Sequence, residues 1–91
     1  MYIIDITLHG DTATEEKVAQ HRAWFKKHFD EGDFVIVGPS KTKEMSGTII
    51  TKSMERAKLD EILGGDAFYP NEATYEVNEI DAKLVKNNID N

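Results

Sequence analysis

The spacing of hydrophobic residues changes along this chain, and the order of those changes restricts the fold more than any other feature. In "YIIDITL", Tyr2, Ile4, Ile6 and Leu8 alternate with Ile3, Asp5 and Thr7, the period-two pattern of a half-buried strand. Residues 15–29, "EEKVAQHRAWFKKHF", switch to helical spacing, with Val18, Phe25 and Phe29 on one stripe. Thr12 followed by Glu15 has the form of a capping box and places the helix start there; Gly32 supplies a left-handed stop. "DFVIVGP" and "GTIITK" return to strand character, separated by the polar connector "SKTKEMSG". Ser53 is placed to cap a second helix, "MERAKLDEIL", whose Leu59, Ile62 and Leu63 share a face and which Gly64 and Gly65 end. "ATYEVNEI" reads as a fourth strand, and residues 81–91 as a polar tail.

The element order is therefore β-α-β-β-α-β, an α+β chain of the ferredoxin-like split type with an antiparallel sheet. Ninety-one residues make one domain, residues 1–91. Two helices cover only one face of four strands. Strands 2 and 3 are apolar on both alternating sets, so the other face is expected to carry an apolar patch. A homodimer with the two sheets packed together is the arrangement that hides it. A chain of this size buries only roughly 60–65% of its unfolded surface, so a partner surface also helps stability.

Composition removes several function classes. The absence of Cys excludes disulfides, thiolate metal sites and a cysteine nucleophile. Seventeen acids against eleven basic residues leave a net charge of −6, which argues against nucleic acid as a partner because phosphate binding needs a basic surface. No apolar run approaches the roughly 20 residues that span a bilayer, so no membrane partner is expected. "MYIIDITLHGD" is interrupted by Asp5 too soon for a secretory leader, and the expected location is cytoplasmic.

The feature that asks for a function is His21, which falls on the buried stripe between Val18 and Phe25. Burying an imidazole costs free energy unless its nitrogens find partners. One reading is a satisfied structural histidine. The other is a histidine lining a hollow between helix and sheet, working as an acid or base near neutral pH. A metal centre is not expected. His21 and His28 stand about 10.5 Å apart along a helix axis, and no HxxxH or HExxH spacing occurs. His28 reads as a partly exposed flank residue, and His9, in "LHGD", as a residue at the pocket mouth or the loop edge. Ser40 follows Gly38-Pro39 at the start of the connector without the GxSxG context of a nucleophile. Lys41, Lys43 and Lys52 make a small positive region that either draws in an anion or is simply a solvated loop.

"HRAWF", Gly32, the "GP" at 38–39, "SGTIIT" and "LDEILGGDAFYPNEATYEV" together resemble the YCII-related proteins, over almost the whole chain up to about Ile80. The sequence departs from that pattern at Ala67, where proline is usual, at Ser46, where glycine often stands, and in a slightly shorter Asp66–Tyr75 segment. The resemblance implies a dimeric α/β barrel and a His–Asp pair, which falls on His21 and Asp66. Independently of the family, Asp66 follows the glycine stop of helix 2 on the side of the sheet that carries helix 1. A carboxylate reaching one imidazole nitrogen fixes the tautomer and leaves the other free to exchange a proton. Phe25 and Phe68, with Trp24 and Tyr69, are candidates for an apolar wall of the pocket, with core packing as the competing role.

The function expected on these grounds is a small cofactor-independent enzyme of lyase or hydrolase type, moving a proton on a small organic molecule. The alternative is a non-catalytic ligand-binding or regulatory dimer of the same fold.

Overall fold

The computed structural model describes residues 1–86. Its elements are β1 (Tyr2–Leu8), a short 3-10 turn (Gly10–Thr12), α1 (Glu15–Asp30), β2 (Phe34–Pro39), β3 (Ser46–Thr51), α2 (Arg56–Leu63) and β4 (Ala73–Glu79). The four strands form one antiparallel sheet in the order β2-β3-β1-β4. This is compatible with a ferredoxin-like α+β fold. Residues 81–86 of the polar tail carry no helix or strand, and residues 87–91 lie outside the described residues. Among the described residues no helix is long and apolar enough to cross a membrane.

Both helix starts differ from the capping expectation. Thr12 closes the 3-10 turn, and Thr14 is the N-cap of α1, its hydroxyl accepting from the Lys17 N–H at 3.2 Å. Glu55, not Ser53, occupies the N-cap of α2 and makes no side-chain cap. The stop at Gly32 is as read: its φ of 88° lies where a side chain would be strained.

The core gathers Tyr2, Ile4 and Ile6 of β1, Ile49 of β3 and Phe34 of β2 under Trp24 of α1 and Leu59, Ile62 and Leu63 of α2. The stripe that α1 buries is rotated from the expected one. Phe29 is 50% exposed, whereas Trp24 is buried at 7%. Phe29 stands roughly 80° round the axis from His21 at 100° per residue, while His21, Trp24, Phe25 and His28 bracket the line that faces the sheet. Both histidines thus sit on the buried side, and each has acquired an aspartate: His21 with Asp66 at 2.6 Å and His28 with Asp33 at 2.9 Å. The pairing is what makes the burial tolerable, since a lone polar group there would cost about 1–3 kcal/mol.

The open face of the sheet is less apolar than expected. A bulge at Val35, between the Phe34↔Thr51 and Ile36↔Ile50 pairs, shifts the phase of β2. One row of that face is then Ile36, Ile50 and Ile3, continuous across three strands. The next row carries Asp5 between Thr48 and Glu76, with the Thr48 hydroxyl donating to Asp5 at 2.6 Å. Toward the β2–β3 loop the apolar patch therefore ends with the Ile36–Ile50–Ile3 row.

His28 is no flank residue. Its side chain is 12% exposed, it lies against Trp24 and Phe34, and it holds Asp33. That contact, the largest influence on Asp33, keeps its carboxyl below the usual aspartate range, against the opposing effect of burial. A carboxyl with a depressed folded-state value stabilises the fold above about pH 4, its unfolded value, and loses that contribution as pH falls through the folded value. The urea midpoint of Asp33→Asn is therefore expected to lie below that of the wild type at pH 6. The gap should narrow as pH falls from about 4, the unfolded value, through the lower folded value. A gap that stays constant or widens on acidification would show that the pair does not carry the difference.

Candidate functional site

The site begins with Trp24. Its indole N–H donates to the Ile62 carbonyl at 2.9 Å, and Gly65 lies against the same ring edge, where an added Cβ would meet Nε1 at 3.5 Å. The end of α2 is thereby fastened to the middle of α1. Directly after it the chain turns, the Asp66 N–H donating to the Leu63 carbonyl at 3.1 Å and the Tyr69 N–H to the Asp66 carbonyl at 3.1 Å. Asp66 is delivered opposite His21, one helical turn before Trp24.

The Asp66 carboxylate is buried and satisfied on both oxygens. Its Oδ1 lies 2.6 Å from His21 Nδ1, and its Oδ2 accepts from the Tyr75 hydroxyl at 2.5 Å. A carboxylate only accepts, so Nδ1 of His21 carries the proton it shares. Burial, then the hydrogen bond to Asp66 and its negative charge, push the Tyr75 hydroxyl far above its ordinary range, so Tyr75 remains a donor. The imidazole is stacked on Trp24 at 5.8 Å and meets Phe25 and Phe68 edge-on at 5.4 and 5.5 Å. These contacts and Asp66 fix the plane of the ring.

The second ring nitrogen, Nε2, makes no hydrogen bond with the described residues. Yet among them every fully buried side-chain nitrogen or oxygen has a partner. Nε2 is therefore not sealed from outside, and His21 helps to line a cavity of about 820 Å³. Its floor comes from Ile6, Leu8, Val18, Phe25, Val37 and Ile49, and its mouth from Arg22 and the β2–β3 loop, residues 40–45. The volume lies within the roughly 300–1,000 Å³ usual for small-molecule pockets.

The expected residues thus divide into groups. His21 and Asp66 meet, and Phe25 and Ser40 line the cavity. Phe68, expected in the pocket wall, is instead fully buried and supports the imidazole without lining the cavity. Trp24 stacks under the ring within the core, and Tyr69 is 42% exposed beside Tyr75. Ser40 holds its own loop, its Oγ accepting from the N–H groups of Thr42 and Lys43 at 3.2 and 3.0 Å. Lys41 and Lys43 stand at the mouth. Lys52 is elsewhere, 3.6 Å from Asp33. His9 is exposed and bonds the Thr74 hydroxyl at 3.1 Å, away from the cavity lining.

Tyr75 is the member of the site that motif spacing did not reveal. A signal existed: it shares the inward set of "ATYEV" with Ala73 and Val77, and a buried tyrosine needs an acceptor for its hydroxyl. A group with metal-ligand chemistry also lies outside the expected positions. His28, Glu31 and Asp33 have donor atoms within 4.8 Å of one another. Asp33 is already engaged by His28 and Lys52, and the lysine puts a positive charge beside the place a cation would take.

Compared with known proteins, the sequence matches no family model and no curated protein.

Proposed function

We propose that the chain is a small cofactor-independent enzyme of the lyase or hydrolase type, in which His21 transfers a proton on a small organic molecule held in the cavity. The observation that supports it most is the state of one imidazole: Nδ1 committed to a doubly satisfied Asp66, and Nε2 unpaired and not sealed, on a residue that lines a largely apolar hollow. In that reading Nε2 takes a proton from a carbon acid or a water, Nδ1–H stays on Asp66, and the carboxylate stabilises the imidazolium that forms. Tyr75 holds Asp66 in place by donating to its second oxygen. The proton then returns from Nε2 to the substrate or to the leaving group. The same His–Asp placement is what the resemblance to the YCII-related proteins implies.

The test uses phenylpyruvate and its methyl ester, two small carbon acids with an apolar body. Proton NMR follows solvent deuterium entering the C3 methylene. Saturable exchange above the buffer rate is expected. Binding in the cavity without accelerated exchange would select the non-catalytic ligand-binding module instead.

The dimeric α/β barrel belongs to the same proposal. The Ile3–Ile50–Ile36 row is the part of the open face suited to a second copy, with Asp5 and Glu76 left nearer its margin. Ile50→Glu is expected to convert a dimer to a monomer in sedimentation velocity without loss of the fold. A wild-type chain that sediments as a monomer at about 100 μM would remove the barrel.

A further inference from the structure

The cavity mouth has a charge opposite to that of the chain. The net charge is −6, yet Arg22, Lys41 and Lys43 border this opening against a single acid, Glu44. None of the three cations forms an ion pair with a described residue. Lys17, Lys26, Lys52, Arg56 and Lys83 each reach a carboxylate, while Lys27 and Lys58, away from the opening, likewise form no ion pair with a described residue. In a chain rich in acids, three basic groups gathered beside the hollow that His21 lines are left unneutralised.

The loop that carries the two lysines is also held in place. The Ser40 N–H donates to the Ser46 carbonyl at 2.8 Å, and the Leu8 N–H to the Met45 carbonyl at 2.8 Å. Inside the loop, Ser40 Oγ gathers the N–H groups of Thr42 and Lys43. The lysines are thus tethered over the mouth, while below them the lining is hydrocarbon from Leu8, Val18, Phe25 and Val37. Cations carried over an apolar floor, two of them on a tethered loop, favour a ligand with a charged end and an apolar body. A bare inorganic anion would leave the floor unused, and a neutral hydrocarbon would leave the cations unused.

We infer that the ligand of this cavity is a small organic carboxylate, its anionic group at the Arg22–Lys41–Lys43 mouth and its apolar body on the floor beside His21. This deepens the proton-transfer reading and rests on it for the reacting atom, Nε2. The carboxylate supplies position, and His21 then meets the carbon or leaving group next to it.

The experiment is an amide NMR titration of the full chain at low salt with phenylpyruvate and, separately, with its methyl ester, which has the same body without the charge. The anion is expected to bind at least about tenfold tighter, with shifts at His21, Gly38 and the 40–46 loop. Raising salt to about 0.3 M should shrink that preference, as the groups at the mouth are solvent-exposed. In the triple variant Arg22→Gln, Lys41→Ala, Lys43→Ala the preference should fall below about threefold, with ester binding unchanged. Equal affinity of the two probes for the wild type, a preference that survives in the triple variant, or shifts confined to other surfaces would each overturn the inference. Deuterium exchange on the same samples separates the two claims. Anion preference without accelerated exchange keeps the ligand class and removes the base; exchange without anion preference does the reverse.

Discussion

His21→Gln is expected to lower catalysed deuterium exchange into the phenylpyruvate probes by about 10²–10⁴-fold, the usual contribution of a positioned acid or base. Binding of the same probes should change by less than about tenfold, because the cavity floor and the basic mouth are untouched. That split is the point of the experiment. A hydrogen-bonding residue in a mere binding pocket loses comparable amounts from both; a proton-transfer residue loses mainly from the rate. The wild-type pH–rate profile should also contain an ionisation that the variant lacks. Parallel losses of rate and affinity, with an unchanged profile, would sink the catalytic role of His21 while leaving the pocket intact.

Asp66→Ala is expected to have the largest effect on stability of any polar substitution in the chain. It strips the partner from His21 Nδ1 and from the Tyr75 hydroxyl together, and it empties a buried position. Two partly buried donors left without acceptors cost about 3 kcal/mol in sum. For a domain of this size that corresponds to a fall in Tm of about 12–24 °C. Asp66→Asn keeps one acceptor oxygen and should lose about half as much. Thermal unfolding followed by circular dichroism reads both. A loss under about 3 °C for the alanine variant would mean that His21 and Tyr75 find other partners and that Asp66 does not organise the site. On the proposed reading the Asp66 variants should combine this stability defect with a loss of exchange, since the same two hydrogen bonds hold the packing and orient His21.

The switch from period two to 3.6 and back was legible because it reflects local geometry: alternate residues of a strand and every third or fourth residue of a helix share an environment. That placed all four strands and both helices near their observed bounds, and Gly32 marked the end of α1 because a positive φ is cheap only for glycine. The same logic singled out His21, since an imidazole on a buried stripe demands a partner. It could not choose the centre of that stripe. Trp24 and Phe29 were both compatible with helical spacing, and only the position of α2, fixed by the Trp24 indole on the Ile62 carbonyl, decided which one the core accepts.

Four matters belong to the tertiary structure alone. The resemblance and the place of Asp66 after α2 point to its pairing with His21, 45 positions away, but that Tyr75 holds the second carboxylate oxygen is settled only by packing. The second pair, His28 with Asp33, depends on how the chain leaves α1 rather than on any motif. Phe68 was read as pocket wall, but packing drew it behind the imidazole, where its whole surface is removed from water. The bulge at Val35 set Ile36 beside Ile50 and turned Val37 to the core side, because a single extra residue in a strand moves the following side chains to the opposite side. Sequence spacing determines which face a side chain takes within its own element; which other side chain it meets is settled only when the elements pack.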